Sequence, residues 1–275
     1  MRCRGAWPSC AGSSKTSDVS DARIADVTIR PLADRAEMEA CVALQRTTWG
    51  ADFQETVPPT IQWAVQQTGG IASGAFARDG TLLGFVFGMT GVRDGRLIHW
   101  SDMLAVHPDA RGLGLAIDLK RHQRDLLLER GIDTVFWTFD PLEARNAHIN
   151  FRRLGIVARE YMRDVYANSG SDLHAGIGTD RLLAEWRIAS PRVAARLEGG
   201  VPARPPADAV RIGVPLDIQR LKQERLDAAQ EQRNLTRAAF EDYLGRGWIV
   251  ADAERQSDRL DYVLVRPEHL SDLES

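Results

Sequence analysis

The succession of residues 96 to 141 constrains this chain more than any other feature. An apolar strand pattern, "RLIHWSDMLAV", runs into a glycine turn, "HPDARGLGLA". A helix pattern from about Gly114 to Arg130 then stops at Gly131, and "DTVFWTFDP" follows. That last run is apolar on both faces, the mark of an interior strand covered on both sides, as parallel strands are. Strand, helix, strand is a crossover unit. Its neighbour "IASGAFARDGTLLGFVFGMTG" holds two short runs joined by Asp79-Gly80, a hairpin signal, so the crossover sits within an otherwise antiparallel meander.

The fold class that follows is α/β in the α+β sense: a mixed, mostly antiparallel sheet flanked by helices. "ADVTIRPL" alternates as a strand, while "DRAEMEACVALQRTTWG" and "VPPTIQWAVQQTGG" space their apolar residues as helices. After the crossover come a helix, "LEARNAHINFRRLG", and two strands, "VAREYMRDVYA" and "TDRLLAEWRI", around the loop "NSGSDLHAGIG". A stretch rich in Pro, Gly and Ala leads to strand "VRIGVP", a long helix from Asp217 to Leu244, and strands "WIVADAE" and "DYVLVR". The expected division is a disordered leader (1–25), a core (26–190), a linker (191–208), a smaller β-α-β-β extension (209–267) and a tail (268–275).

Composition narrows the partners. The chain has 275 residues, with 35 Lys plus Arg against 38 Asp plus Glu, and no polybasic block of the kind that tracks nucleic acid or anionic lipid. Three cysteines, two of them in the leader, are too few and too odd for a disulfide scaffold and favour a reducing compartment. The N-terminus holds no apolar run of the roughly 7 to 15 residues of a secretory signal, and no later stretch approaches the ~20 of a membrane span. A cytoplasmic protein is expected, with neither nucleic acid nor membrane as partner. The six histidines are scattered and no Cys-x-x-Cys occurs, so no metal site is expected.

The glycine turn carries the chemistry. A helix N-terminus presents unpaired N–H groups and partial positive charge, which attract phosphate. Glycine at 112 and 114 lets an anion approach the backbone, although the same glycines serve a plain tight turn. The turn has neither the Lys-Ser/Thr ending of a P-loop nor the third glycine of a dinucleotide fingerprint.

Strand "HWSDMLAVHPD", turn "ARGLGLA", strand "VFWTFDP" and helix "NAHINFRRLG" together resemble the acyl-CoA-binding core of the Gcn5-related N-acetyltransferase superfamily. Its Gln/Arg-x-x-Gly-x-Gly/Ala signature falls on Asp109 through Gly114, with Asp109 in place of Gln or Arg. The likeness spans about residues 26 to 190. The blocks "DPL", "RNAH" and "TDR...EW" are similar to a subgroup of predicted bacterial acyltransferases with a C-terminal extension.

The resemblance implies an acyl-CoA donor whose pyrophosphate rests on the amides of Arg111, Gly112, Leu113, Gly114, Leu115 and Ala116. Pantetheine would thread where strand 97–106 splays from strand 133–140, along Leu104, Ala105 and Val106. A free N–H near Leu104 would polarise the thioester carbonyl. Asp102 is the candidate base, since Asp is depleted in strands and its place in "HWSDMLAV" asks for a reason; a carboxylate satisfied by a neighbour is the structural alternative. The family's tyrosine acid is absent, because Tyr-x-x-Leu-Gly here reads Phe151-Arg152-Arg153-Leu154-Gly155. No acid is assigned, with Tyr161 and Tyr166 noted as substitutes.

Asn146 and Asn150, four apart, share a helix face and are candidates to meet pantetheine amides, with His148 turned away. Arg181 is the candidate to bind a carboxylate on the acceptor, or else pairs with Asp180 or Glu185. The expected function is acyl transfer, acetyl or succinyl, from coenzyme A to a small amine such as an amino acid. A non-catalytic acyl-CoA-binding module and a protein N-acetyltransferase are the alternatives. The C-terminal helix packs either on the core or on a second subunit of a homodimer.

Overall fold

The computed structural model describes residues 26–166 and 176–271. The expected leader, most of the loop 168–178 and residues 272–275 lie outside the described residues. The chain begins with β1 (Thr28–Pro31), α1 (Arg35–Trp49) and α2 (Pro59–Gln67). The antiparallel run β2 (Ile71–Phe76), β3 (Leu82–Arg93) and β4 (Arg96–Val106) follows, then α3 (Leu115–Glu129) and β5 (Thr134–Phe139). Next come α4 (Ala144–His148), continued by a π-helical turn at Ile149–Leu154, and β6 (Val157–Met162), β7 (Arg181–Arg187) and α5 (Pro191–Leu197). The chain closes with β8 (Val210–Pro215), α6 (Ile218–Glu224), α7 (Leu226–Gly245), β9 (Ile249–Arg255) and β10 (Arg259–Val265).

All ten strands form one sheet, ordered β1-β2-β3-β4-β5-β7-β6-β9-β10-β8. Its faces are covered separately, as the alternation of β3 requires. Phe85 and Phe87 point with Met103 and Ala105 to the side of α1 and α2, whereas Val86 joins the cluster under α3 with Val135, Trp137 and Trp186. Asp34 starts α1 by accepting from the N–H of Glu37 at 3.0 Å. β5 is interior as expected, parallel to β4 and antiparallel to β7.

Four expectations change. Residues 191–208 are not all linker: Ser190 caps α5 by accepting from Val193 N–H, and Pro191 occupies its first turn, a start signal that the following Gly and Pro obscured. The long helix is two helices, broken where Arg225 turns out of helical geometry (φ −152°). No proline or glycine marks that break; α6 buries Ile218, and α7 buries Ala229, Arg233, Thr236 and Phe240. β3 runs on past its expected end to Arg93 and meets β4 in a second hairpin closed by Asp94-Gly95, both at positive φ. The C-terminal unit is continuous with the sheet, because Ala158 of β6 pairs with Val250 of β9.

Candidate active site

β4 and β5 touch as strands at only two positions, His99↔Val135 and Trp100↔Phe136. Beyond Trp100 they part, so the β5-facing edge of residues 101–106 opens onto a fork. Leu104, Ala105 and Val106 line that edge while pairing on their other side with Val86, Phe85 and Gly84. The β3–β4 register slips here: Phe87 pairs with Met103 and Gly88 with Ser101, which leaves Asp102 as the bulged residue. A bulge re-aims a side chain and twists its strand, and this explains how an aspartate is tolerated within a strand. Gly88 is obligatory opposite it, since a Cβ there would lie 2.3 Å from His99 Nε2 and 2.5 Å from Trp100 O.

The glycine turn sits at the open end of the fork. A 3₁₀ turn at Pro108–Ala110 uses the N–H of Arg111, which donates to Pro108 O at 3.2 Å. Of the expected cradle of Arg111 through Ala116, Arg111 therefore has its N–H already committed. Gly112 (φ +89°) and Gly114 (φ +86°) are both left-handed, and Gly114 caps α3 without a side-chain hydrogen bond. A Cβ on Gly112 would meet no atom within 4 Å, so conformation, rather than crowding by the protein, demands glycine. The N–H groups of Gly112, Leu113, Gly114, Leu115 and Ala116 appear in no described backbone hydrogen bond outside the helices and strands, whereas Ile117 and Asp118 both donate to Gly114 O. Five consecutive donors at a helix N-terminus have the chemistry to receive an anion.

Asp102 keeps a solvent-exposed edge, yet enough protein surrounds it that desolvation raises its carboxyl above the usual range, against a hydrogen bond from the Trp100 indole. Glu55, in the loop between α1 and α2, is close enough for Asp102 to push its pKa up and Arg181 to pull it down; its own desolvation is the leading cause of its raised value. Sequence reasoning missed Glu55, which stands in no pattern.

Arg181, at the start of β7, is 4% exposed. Its Nη1 donates to Asp180 O at 2.9 Å and lies 3.5 Å from Asp140 Oδ2, and its guanidinium covers the Tyr166 ring at 5.0 Å. The carboxylates offered as its alternative partners are held elsewhere. Asp180 is clamped at 2.7 Å by Arg237 and by the Tyr161 hydroxyl, and Glu185 meets Arg159 and Arg187. Asp140 is shared with Arg233, fully buried on α7, whose Nη2 donates to Oδ2 at 2.6 Å. The C-terminal unit thus reaches the turn after β5, a contact no local sequence signal announces.

Asn146 and Asn150 do not share one surface. Asn146 is exposed, while Asn150 is 3% exposed with Nδ2 unpartnered among the described residues. The π turn that begins at Ile149 widens the helix and spoils the i,i+4 stacking. The Nδ1 of His148 is buried without a hydrogen-bond partner among the described residues. Phe151 is wholly buried, edge-on to Phe139 (6.1 Å) and Tyr262 (5.8 Å). The Tyr262 hydroxyl is committed to Pro141 O at 2.6 Å, and Tyr161 to Asp180. Tyr166 meets Thr138 Oγ1 at 3.0 Å on β5. Among the described residues no metal cluster forms and no helix is long and apolar enough to cross a membrane.

Residues 38–156 match the model of the Acetyltransferase (GNAT) family. Among solved structures, the chain is similar to yncA from Salmonella typhimurium, determined with its cofactor acetyl-CoA. The identity is 19%, over 66% of this chain and 99% of that one, with TM-score 0.48. It is also similar to the ribosomal-protein-S18-alanine N-acetyltransferase from Escherichia coli (18%, 59% and 94%, TM-score 0.46). A GNAT-family acetyltransferase from Streptococcus pneumoniae gives 18%, 58% and 98%, with TM-score 0.46. No curated protein matches the chain. Residues 38–156, which carry the forked sheet and the glycine-capped helix, are similar to the acetyltransferase (GNAT) family.

Proposed function

We propose that this acetyltransferase moves an acyl group, acetyl or succinyl, from coenzyme A to a small-molecule amine, with an amino acid as the favoured acceptor class. The observation that carries the reading is the alignment of the fork with the uncapped N-terminus of α3: the β4–β5 gap opens beside five available N–H donors. The pyrophosphate would rest on Gly112 through Ala116, and the pantetheine amides would meet the freed edge of residues 104–106. An N–H on that edge polarises the thioester carbonyl and takes up negative charge as the amine attacks.

An amine near its reference pKa is mostly protonated at neutral pH, so a proton acceptor is needed. Asp102, aimed by the bulge and raised in pKa, supplies it. The same elevation makes its ionised form scarcer at low pH, so turnover is expected to rise with pH through Asp102 ionisation. Arg181, with Asp140 and Arg233 behind it, supports a carboxylate-bearing acceptor. No side chain is assigned to protonate the leaving group. A thiol with pKa of roughly 8.5 departs as thiolate without help.

Phe151 favours a second reading, a module that binds acyl-CoA without turning it over, because the family's tyrosine hydroxyl is missing. Thiol release from acetyl-CoA across an amine panel separates the two. Release that depends on the amine, and that falls in Asp102→Asn, supports the enzyme; tight acetyl-CoA binding with no release for any amine supports the module.

A further inference from the structure

Lys120 lies on the sheet-facing side of α3 and is 6% exposed. Its Nζ donates to Ser101 Oγ at 2.8 Å and to Gln123 Oε1 at 3.1 Å, and stands 3.9 Å from the centroid of the Trp137 ring. Among the described residues no carboxylate acts on it. Desolvation alone pushes its pKa down to about 7. A lysine buried so completely without a counter-charge costs stability that an apolar residue of the same length would not.

Its contacts show where that cost is placed. The last β4–β5 pair is Trp100↔Phe136. Ser101 and Trp137 are the next residue on each strand, the first two past the point where the strands part. Lys120 therefore touches both arms of the fork at its apex. Behind it runs a chain of polar contacts: Gln123 Nε2 to His99 Nε2 (3.1 Å), His99 Nδ1 to Thr90 Oγ1 (3.4 Å), and Thr90 Oγ1 to Gly69 O (2.8 Å). Every member is committed, so the apex is anchored on one side to the β2–β3 part of the sheet.

A chain that enters from the glycine turn at the open end meets the apex last, and its acyl end is innermost. We propose that Lys120 is a positioning residue, whose ammonium braces Ser101 against the Trp137 ring and so sets the fork opening and the adjoining Asp102 bulge for the acyl end of the donor. This rests on the reading that the fork takes an acyl-CoA. The ammonium donates two charge-assisted hydrogen bonds and faces a π surface; the neutral amine gives up both advantages. The brace therefore weakens as pH rises past neutrality.

The groups around Lys120 leave that dependence to it. From β4 it faces His99, held neutral with a pKa of about 3 by burial, Lys120 and Arg130; β5 and β7 present Trp137 and Trp186. Asp102, on the opposite side of β4 beside Ser101, titrates in wild type and variants alike.

The test is calorimetric titration of the full chain with acetyl-CoA and with free CoA, at pH 6 and pH 9, in wild type, Lys120→Met and Lys120→Arg. The ratio of the two affinities reports the acyl end, because both ligands share the pyrophosphate seat. Wild type is expected to favour acetyl-CoA at pH 6 and to lose several-fold of that preference at pH 9. Lys120→Met should show little preference at either pH while unfolding at a temperature no lower than wild type. Lys120→Arg, whose cation keeps its proton, should show the same preference at both. Unchanged ratios in both folded variants, or a wild-type decline repeated in Lys120→Arg, overturn the brace and leave the acetyltransferase reading standing. If Lys120→Met does not fold, Lys120→Arg decides alone. Failure of folded wild type to bind either ligand overturns the brace together with the reading on which it rests.

Discussion

The two sides of the fork are built from different materials. On the proposed donor side the work would fall to backbone: the N–H groups of Gly112 through Ala116 and the freed edge of β4, with glycine present because φ near +90° requires it. On the proposed acceptor side it would fall to charged side chains from separate elements, with Glu55 before α2, Asp102 on the β4 bulge, Arg181 on β7 and Arg233 on α7. The difference implies that the donor side tolerates change in side chains but not in conformation, and that the acceptor side does the reverse.

Gly112→Glu should break the donor side most completely. The substitution forces a left-handed conformation at a cost of about 1–3 kcal/mol and sets a carboxylate where a pyrophosphate belongs, so acyl-CoA affinity should fall roughly a hundredfold in titration. Its neighbour Leu113, 41% exposed, contributes its N–H and little else, and Leu113→Ala should leave affinity within about twofold.

Asp102→Asn should lower kcat by about 10²–10⁴ and abolish the acidic limb of the pH–rate profile, with acyl-CoA affinity unchanged. The sign of its effect on stability is opposite. A carboxyl whose folded pKa is raised contributes stability below its unfolded pKa and loses it as pH rises through the folded value. The variant should therefore match wild type in acid and unfold at a higher temperature than wild type at neutral pH.

How much of this was legible follows the same division. The glycine spacing and the switch from strand to helix period were written locally, so the crossover, the glycine turn that starts α3 and the interior β5 were readable from residues 96–141. The bulge was not, because nothing in "HWSDMLAV" says that Gly88 will pair with Ser101 and Phe87 with Met103; only Asp in a strand hinted at it. The acceptor side was hardly legible at all. Arg181 was identified as a residue, but its partner proved to be Asp140, shared with an arginine 52 positions further along the chain. Contacts between distant segments leave no periodicity to read. Arg225 shows the limit for helices, since the chain leaves helical geometry there with no proline or glycine to announce it.

Arg181→Gln sharpens the comparison. Loss of a charged hydrogen-bonding group worth about 1.5–3 kcal/mol should raise the acceptor KM roughly tenfold or more and leave acyl-CoA affinity alone. An equal effect on both ligands would remove Arg181 from the acceptor side. The smallest effect is expected from Tyr262→Phe, which deletes only the hydrogen bond to Pro141 O and should cost about 1 kcal/mol in denaturant unfolding, with kinetics unaltered.

The central claim is that "ARGLGLA" is a seat for coenzyme A and not merely a turn. Calorimetric titration of wild type and Gly112→Glu with coenzyme A and acetyl-CoA tests it most directly. Saturable binding by wild type that the folded variant loses is the predicted result; no binding by folded wild type, or equal binding by both, would contradict it.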